Sequence, residues 1–242
     1  MMPRYAELDV TTNFSFLRGG SHPEELVATA KALGLEAIAV TDRNTLAGVV
    51  RGHLAAKEAG IKFIVGTRLD LQDAPSLLAY PTDRAAYGRL CRLLTLGQRR
   101  AEKGACTLYL ADVAAHAEGL IFIALPPNGF PFPCKGEGSD GRRPSAGEGP
   151  IAVIRHEPHP DPFPSRGRGK RVAITFGTEL YRIKKTLRAH VPLYLAARHS
   201  YRGDDRARIA ALAALAQRAG TPLVATGGVL YHAPHRRQLQ DV

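Results

Sequence analysis

With 242 residues, 45% of them hydrophobic and 23% charged, the chain can bury a sizeable core, and wholesale disorder is excluded. No apolar run approaches the roughly 18–20 residues of a membrane span, and Met1 to Glu7 lacks an apolar h-region, so neither a membrane partner nor a secretory signal is expected. The net charge of +11 is concentrated in residues 172–242, with 11 basic and 4 acidic side chains, a balance that suits a polyanion such as nucleic acid as well as a solvated basic face.

The first 125 residues read as alternating strands and amphipathic helices. Tyr5 to Val10 is a strand candidate. Ser21-His22-Pro23-Glu24 reads as a capping box, with Ser21 and Glu24 exchanging bonds and Pro23 in the first turn. Leu26, Val27, Ala30 and Leu33 then form one apolar face, stopped by Gly34. Glu36 to Val40 is a buried-type strand, and the helix after it places Leu46, Val49, Val50 and Leu54 on one side before Gly60. Ile61 to Val65 and Leu77 to Tyr80 are further strands. Thr82-Asp83 caps a helix to about Leu96, and a helix over Leu110 to Ala117 leads into the apolar strand Leu120 to Leu125. Repeated units of this kind predict an α/β fold with a mostly parallel sheet or barrel.

Residues 126–171 break the rhythm, holding 10 of the 17 prolines and 8 of the 24 glycines. Such a stretch is expected to be a disordered surface insertion, or a basic arm on nucleic acid through residues such as Arg142, Arg143 and Arg166. Regular structure resumes with a basic helix around Glu179 to Ala189. The strand Val191 to Ala197 follows, then a helix opened by Asp204-Asp205 that turns Ile209, Leu212, Leu215 and Ala216 inward, and a last strand Leu223 to Thr226.

In parallel α/β folds reacting groups sit at the carboxyl ends of strands. Here those ends carry Asp9-Val10-Thr11-Thr12, Thr41-Asp42-Arg43-Asn44, Gly66-Thr67-Arg68, Arg198-His199-Ser200 and Gly227-Gly228-Val229-Leu230. Lys184, Lys185 and Arg188 lie on one helix, where they suit phosphate contacts or a solvated face equally. His22 and the run His232-Ala233-Pro234-His235 read as surface groups. Cys91, Cys106 and Cys134 have no metal-ligand spacing and fit a reducing cytoplasm. There is no Gly-x-x-x-x-Gly-Lys-Ser/Thr loop and no Gly-x-Ser-x-Gly turn. With no tryptophan and 7% aromatics, a stacking platform for single strands is not expected.

Two stretches, Ala39 to Gly48 and Ala55 to Gly66, resemble the second and third motifs of the PHP (polymerase and histidinol phosphatase) family. Val10 to Gly19, Ser21 to Leu26, Tyr80 to Arg84 and Tyr231 to Pro234 are similar to the amino terminus of one group in it, the bacterial error-prone, C-family (alpha-subunit-like) DNA polymerases. The resemblance covers about residues 4–125 and 190–242. It implies a PHP-type distorted β/α barrel (TIM-like), split into residues 1–125 and 172–242 by the insertion. It also implies a role in DNA-directed DNA synthesis during damage-tolerant replication and repair (translesion synthesis, a nucleotidyltransferase reaction).

PHP sites gather His, Asp and Glu around two or three metal ions that activate water and brace phosphate. At the matching positions this chain has Asp9-Val10-Thr11 for His-x-His, Asp42-Arg43 for Asp-His, Arg68 for Glu, and Gly227-Gly228-Val229-Leu230 for Asn-Asp-x-His. Only Asp42 and His199 keep a ligand type, with Asp9 a substitute carboxylate, so the metal site is expected to be degenerate, with no cofactor in this part and no catalytic residue. Asp42 has a structural alternative, capping the helix near Thr45 or pairing with Arg43 or Arg68; His199 likewise reads as a satisfied residue at the barrel mouth. The polymerising aspartates and their Mg ions belong to a palm that is expected downstream, because the chain stops at Val242 just after a helix opens at His235. The resemblance therefore points to a partner role through DNA and through other replication or mutagenesis subunits. The alternatives are a free-standing metal-dependent PHP phosphoesterase and a non-functional truncated gene product.

Overall fold

The computed structural model describes residues 4–127, 169–188, 190–201 and 203–240, with side chains placed for all of these except 169–175 and 240. Most of the Pro/Gly-rich stretch 126–171 thus lies outside the described residues.

Two sheets carry the fold. The first pairs β1 (Ala6–Glu7), β2 (Ala37–Val40) and β3 (Lys62–Val65), all parallel. The second runs in the order β4 (Thr67–Leu69), β5 (Leu77–Pro81), β6 (Leu120–Ala124), β7 (Leu193–Arg198) and β8 (Leu223–Thr226). Its last three strands are parallel, but β5 is antiparallel to both neighbours. The repeating pattern predicts a mostly parallel arrangement, and β5 departs from it for a simple reason. Only residues 70–76 join β4 to β5, too few for a crossover helix, so the chain must turn back. The strand β4 was not legible, because Gly66 reads as a stop and yet only breaks the chain between two pairing partners.

Isolated bridges tie the sheets together. Val10 pairs with Val229, and Arg43 with Arg68. One apolar cluster fills the space between the sheets, with Ala39 and Ile64 from the first meeting Leu78, Tyr80, Ile123 and Ala196 from the second. Helices cover the outer faces. Leu26, Val27, Ala30 and Ala56 of α1 (Pro23–Ala32) and α2 (Val49–Ala59) pack on the first sheet. α3 (Arg84–Arg100), α4 (Leu110–Ala115), α5 (Gly169–Leu187) and α6 (Asp205–Ala219) pack on the second. A 3-10 turn and the short α7 (Arg237–Gln240) follow β8.

Three local expectations need correction. The N-cap of α1 is His22, whose backbone N–H donates to Glu25 Oε2 at 2.9 Å; the box is thus shifted one residue from Ser21–Glu24. Ser21 Oγ instead meets His232 Nδ1 at 2.8 Å, so His232 is a half-buried tether of the carboxyl-terminal segment and not a surface group. On α2 the packed face is Val49, Gly52 and Ala56, while Val50 and Leu54 are exposed. A Cβ on Gly52 would sit 2.8 Å from the Phe63 ring, so the helix approaches the sheet on its small residues and turns its large ones outward. Leu33 likewise lies at the exposed end of α1. The cap of α3 is as expected, with Asp83 accepting from Ala86 N–H at 2.7 Å.

Candidate functional site at the strand ends

Three polar assemblies occupy the carboxyl ends of the strands. The first joins β1, β7 and β8. Arg198, last residue of β7, points inward and donates to Asp9 Oδ2 through Nε at 3.1 Å and through Nη2, forming an ion pair whose Asp9 side chain is 3% exposed. Beside it Glu7 Oε1 accepts from the N–H groups of Asp9 and Gly227, both at 2.9 Å, and Oε2 accepts from Tyr5 OH. Burial pushes the Glu7 carboxyl above the usual carboxylate range, and the Asp9 charge adds to the rise; the three hydrogen bonds only partly offset it.

These contacts explain the glycine pair. A Cβ on Gly227 would lie 2.3 Å from Glu7 Oε2, and one on Gly228, which has φ +67°, would lie 2.5 Å from the Arg198 guanidinium. Side chains at 227 and 228 are incompatible with Glu7 and Arg198 in their present places.

The second assembly is Asp42, 1% exposed. Its Oδ1 accepts from Thr12 N–H (2.8 Å) and Ser15 Oγ (2.7 Å), and its Oδ2 accepts from Thr12 Oγ1 (2.8 Å). Asp42 therefore neither caps a helix nor pairs with Arg43 or Arg68; it anchors the loop after β1. Burial raises its pKa against the pull of these donors.

The third assembly gathers those arginines on a residue that the sequence did not single out. Asp70 accepts from Arg43 Nη1 at 3.0 Å, Arg68 Nε at 2.8 Å and Ser76 Oγ at 2.6 Å. Burial alone would raise the Asp70 carboxyl, but Arg68, Ser76 and Arg43 together hold it below its usual value.

A metal cluster needs several Lewis-base side chains converging on one point. Among the described residues no group of three or more His, Cys, Asp or Glu side chains is so arranged. The carboxylates at the strand ends are already taken by hydroxyl, amide and guanidinium donors. This donor set does not fit a metal ion.

The PHP domain family matches residues 7–142, more than half of the chain. The chain belongs to that family. It is also 45% identical over 241 residues to an error-prone DNA polymerase of Caulobacter vibrioides and 42% identical over 261 residues to one of Rhodopseudomonas palustris, alignments that each cover 99% of this chain. The chain spans only 18% and 21% of the length of those relatives. Among solved structures, a protein described as a metal-dependent phosphoesterase from Bifidobacterium adolescentis superimposes with a TM-score of 0.54 at 13% identity, over 96% of this chain and 89% of that one. An amidohydrolase from Chromobacterium violaceum gives 0.50 at 16%, over 98% and 89%. Identities that low speak for the fold alone.

The two PHP ligand candidates have separate surroundings. Asp42 faces Thr12 and Ser15, while His199, one residue past the end of β7, lies beside Tyr201 and Asp205. Its side chain is 55% exposed, its ring meets Tyr201 edge-on at 4.5 Å and its Nδ1 lies 3.7 Å from Asp205 Oδ2. Of the basic candidates on α5, Lys184 donates to the carbonyls of Ala219 (2.8 Å) and Gly220 (2.7 Å), closing the end of α6, whereas Lys185 and Arg188 are exposed. Lys184 thus has a structural use that sets it apart from an open phosphate-binding row. Sequence reasoning quoted Arg198 as a strand-end residue without giving it a role, and missed Glu7 and Asp70. The available signal for Arg198 was that strand-end position.

Proposed function

We propose that this PHP domain is the amino-terminal region of an error-prone DNA polymerase, with its ancestral metal centre replaced by fixed ion pairs. Its role is then structural: a distorted β/α barrel that packs against a polymerase core acting on DNA in the cytoplasm. The barrel reading is supported by the Val10–Val229 bridge between the extensions of β1 and β8 and by Gly66 alone separating β3 from β4. The observation that carries the functional reading is 45% identity to an error-prone polymerase over 241 residues, and the ion pairs of Arg43 and Arg68 with Asp70 and of Arg198 with Asp9 at the strand ends support the loss of a metal centre. Guanidinium groups offer no lone pair to a metal and repel it. DNA synthesis, its Mg ions and any further replication subunits belong to the remainder of such a polymerase.

Two measurements test this. Purified chain dialysed against manganese or zinc should retain no stoichiometric metal and should not hydrolyse a phosphomonoester above background. Metal-dependent hydrolysis lost in Asp42→Asn would overturn the reading in favour of a free-standing phosphoesterase. Replacing the matching region of the Caulobacter vibrioides polymerase with this chain should preserve primer extension. A folded chimera without extension would equally overturn it.

A further inference from the structure

An open cleft of about 720 Å³ lies beside the Asp42 assembly, walled by the loop after β1 on one side and the end of α3 on the other. The β1 loop is held rigidly at its base, because Thr12 and Ser15 are both bonded to buried Asp42. Its tip is another matter. Phe16 is 84% exposed and Leu17 59% exposed, and Leu17 sits at φ +57°, a left-handed conformation that residues with a side chain seldom adopt. A large apolar ring thus stands exposed beside a left-handed residue, on a loop anchored at its base. Phe14 stands beside it, with Arg51 over its ring at 5.9 Å.

Cations share this cleft. Arg18, Arg43 and Lys103 line it against a single acidic wall residue, Glu102. Burial first, and then the nearby charges of Arg68 and Arg18, lower the pKa of Arg43 against the pull of Asp70. Accessible aromatic rings next to clustered cations are what a single-stranded polynucleotide uses, bases stacking on the rings and phosphates following the charges, so this cleft departs from the expectation drawn from the 7% aromatic content. A duplex keeps its bases stacked on one another and exposes a base face to Phe16 only where it is kinked, whereas a single strand presents one at every nucleotide.

We infer that the cleft between the β1 loop and the end of α3 binds single-stranded nucleic acid, with a base stacked on Phe16 and phosphates on Arg18, Arg43 and Lys103. The inference rests on the polymerase reading only for DNA as the polymer. It is tested on this chain alone, so its failure would be distinct from failure of the chimera.

Fluorescence anisotropy with a labelled dT12 strand, at several salt concentrations, gives the test. Saturable binding is expected, with Phe16→Ala weakening it about fivefold or more. Arg18→Ala with Lys103→Ala should lower the salt slope by about 1. Arg84→Ala with Arg92→Ala, which removes two exposed charges from the outer face of α3, should change affinity less than twofold. Circular dichroism would check that Phe16→Ala, at an exposed site, stays folded. The proposal fails if dT12 does not bind, if a 12-base-pair duplex binds as tightly, or if polyglutamate competes as well as unlabelled strand. It also fails if the α3 pair costs as much as the cleft pair.

Discussion

Arg198 and Asp9, 189 residues apart in sequence, meet as an ion pair with a buried carboxylate and a half-buried guanidinium where the ends of β7 and β1 converge. Removing one partner of such a pair leaves the other charge buried and uncompensated, which costs about 3–5 kcal/mol. Arg198→Ala should therefore lower the urea midpoint of this chain sharply. Gly228→Ala should also destabilise it by more than about 1 kcal/mol, because the new methyl meets the guanidinium at a left-handed backbone position. Equilibrium urea unfolding of the two variants checks both. A fully stable Arg198→Ala protein would show that the pair is not structural.

Glu7 gives a pH signature. Its folded pKa is raised, so the stability it contributes is present below the ordinary carboxylate value and is lost as pH rises through the folded value. Glu7→Gln keeps an acceptor for Gly227 and Asp9 but cannot ionise. The variant should gain stability relative to the parent as pH climbs from about 4 toward 8. Thermal melts at a series of pH values would display the divergence; parallel curves would contradict it.

Asp70 has the opposite sign. Held below its usual value, it stabilises the fold above the ordinary Asp pKa, and that contribution disappears as pH falls through the folded one. Asp70→Asn should cost about 1–3 kcal/mol at neutral pH, since Arg43 and Arg68 lose their shared charged acceptor. The penalty should fade in acid, and urea titrations at neutral and acid pH would measure it.

Lys184 closes the carbonyl end of α6, so Lys184→Met should cost about 1 kcal/mol of stability while leaving dT12 affinity unchanged. Chemical denaturation and the anisotropy assay together separate these two roles.

Local sequence was enough for most elements. Apolar runs such as Leu120 to Leu125 and capped helices such as the one after Asp83 depend on neighbours within a few residues, and their period is visible in one dimension. The strand-end motifs, Arg43 and Arg68 among them, were legible for the same reason. What those residues do was decided elsewhere. Asp42 meets Thr12 and Ser15, Asp70 collects both arginines, and Arg198 reaches Asp9, because two sheets bring loops together that are distant in sequence. The direction of β5 and the small-residue face of α2 were also settled by what each element packs against. Sequence by itself determined most of the elements and the family resemblance. Only the tertiary structure decided the partners of each charge, since an ion pair depends on distance in space and burial, neither of which a local pattern encodes.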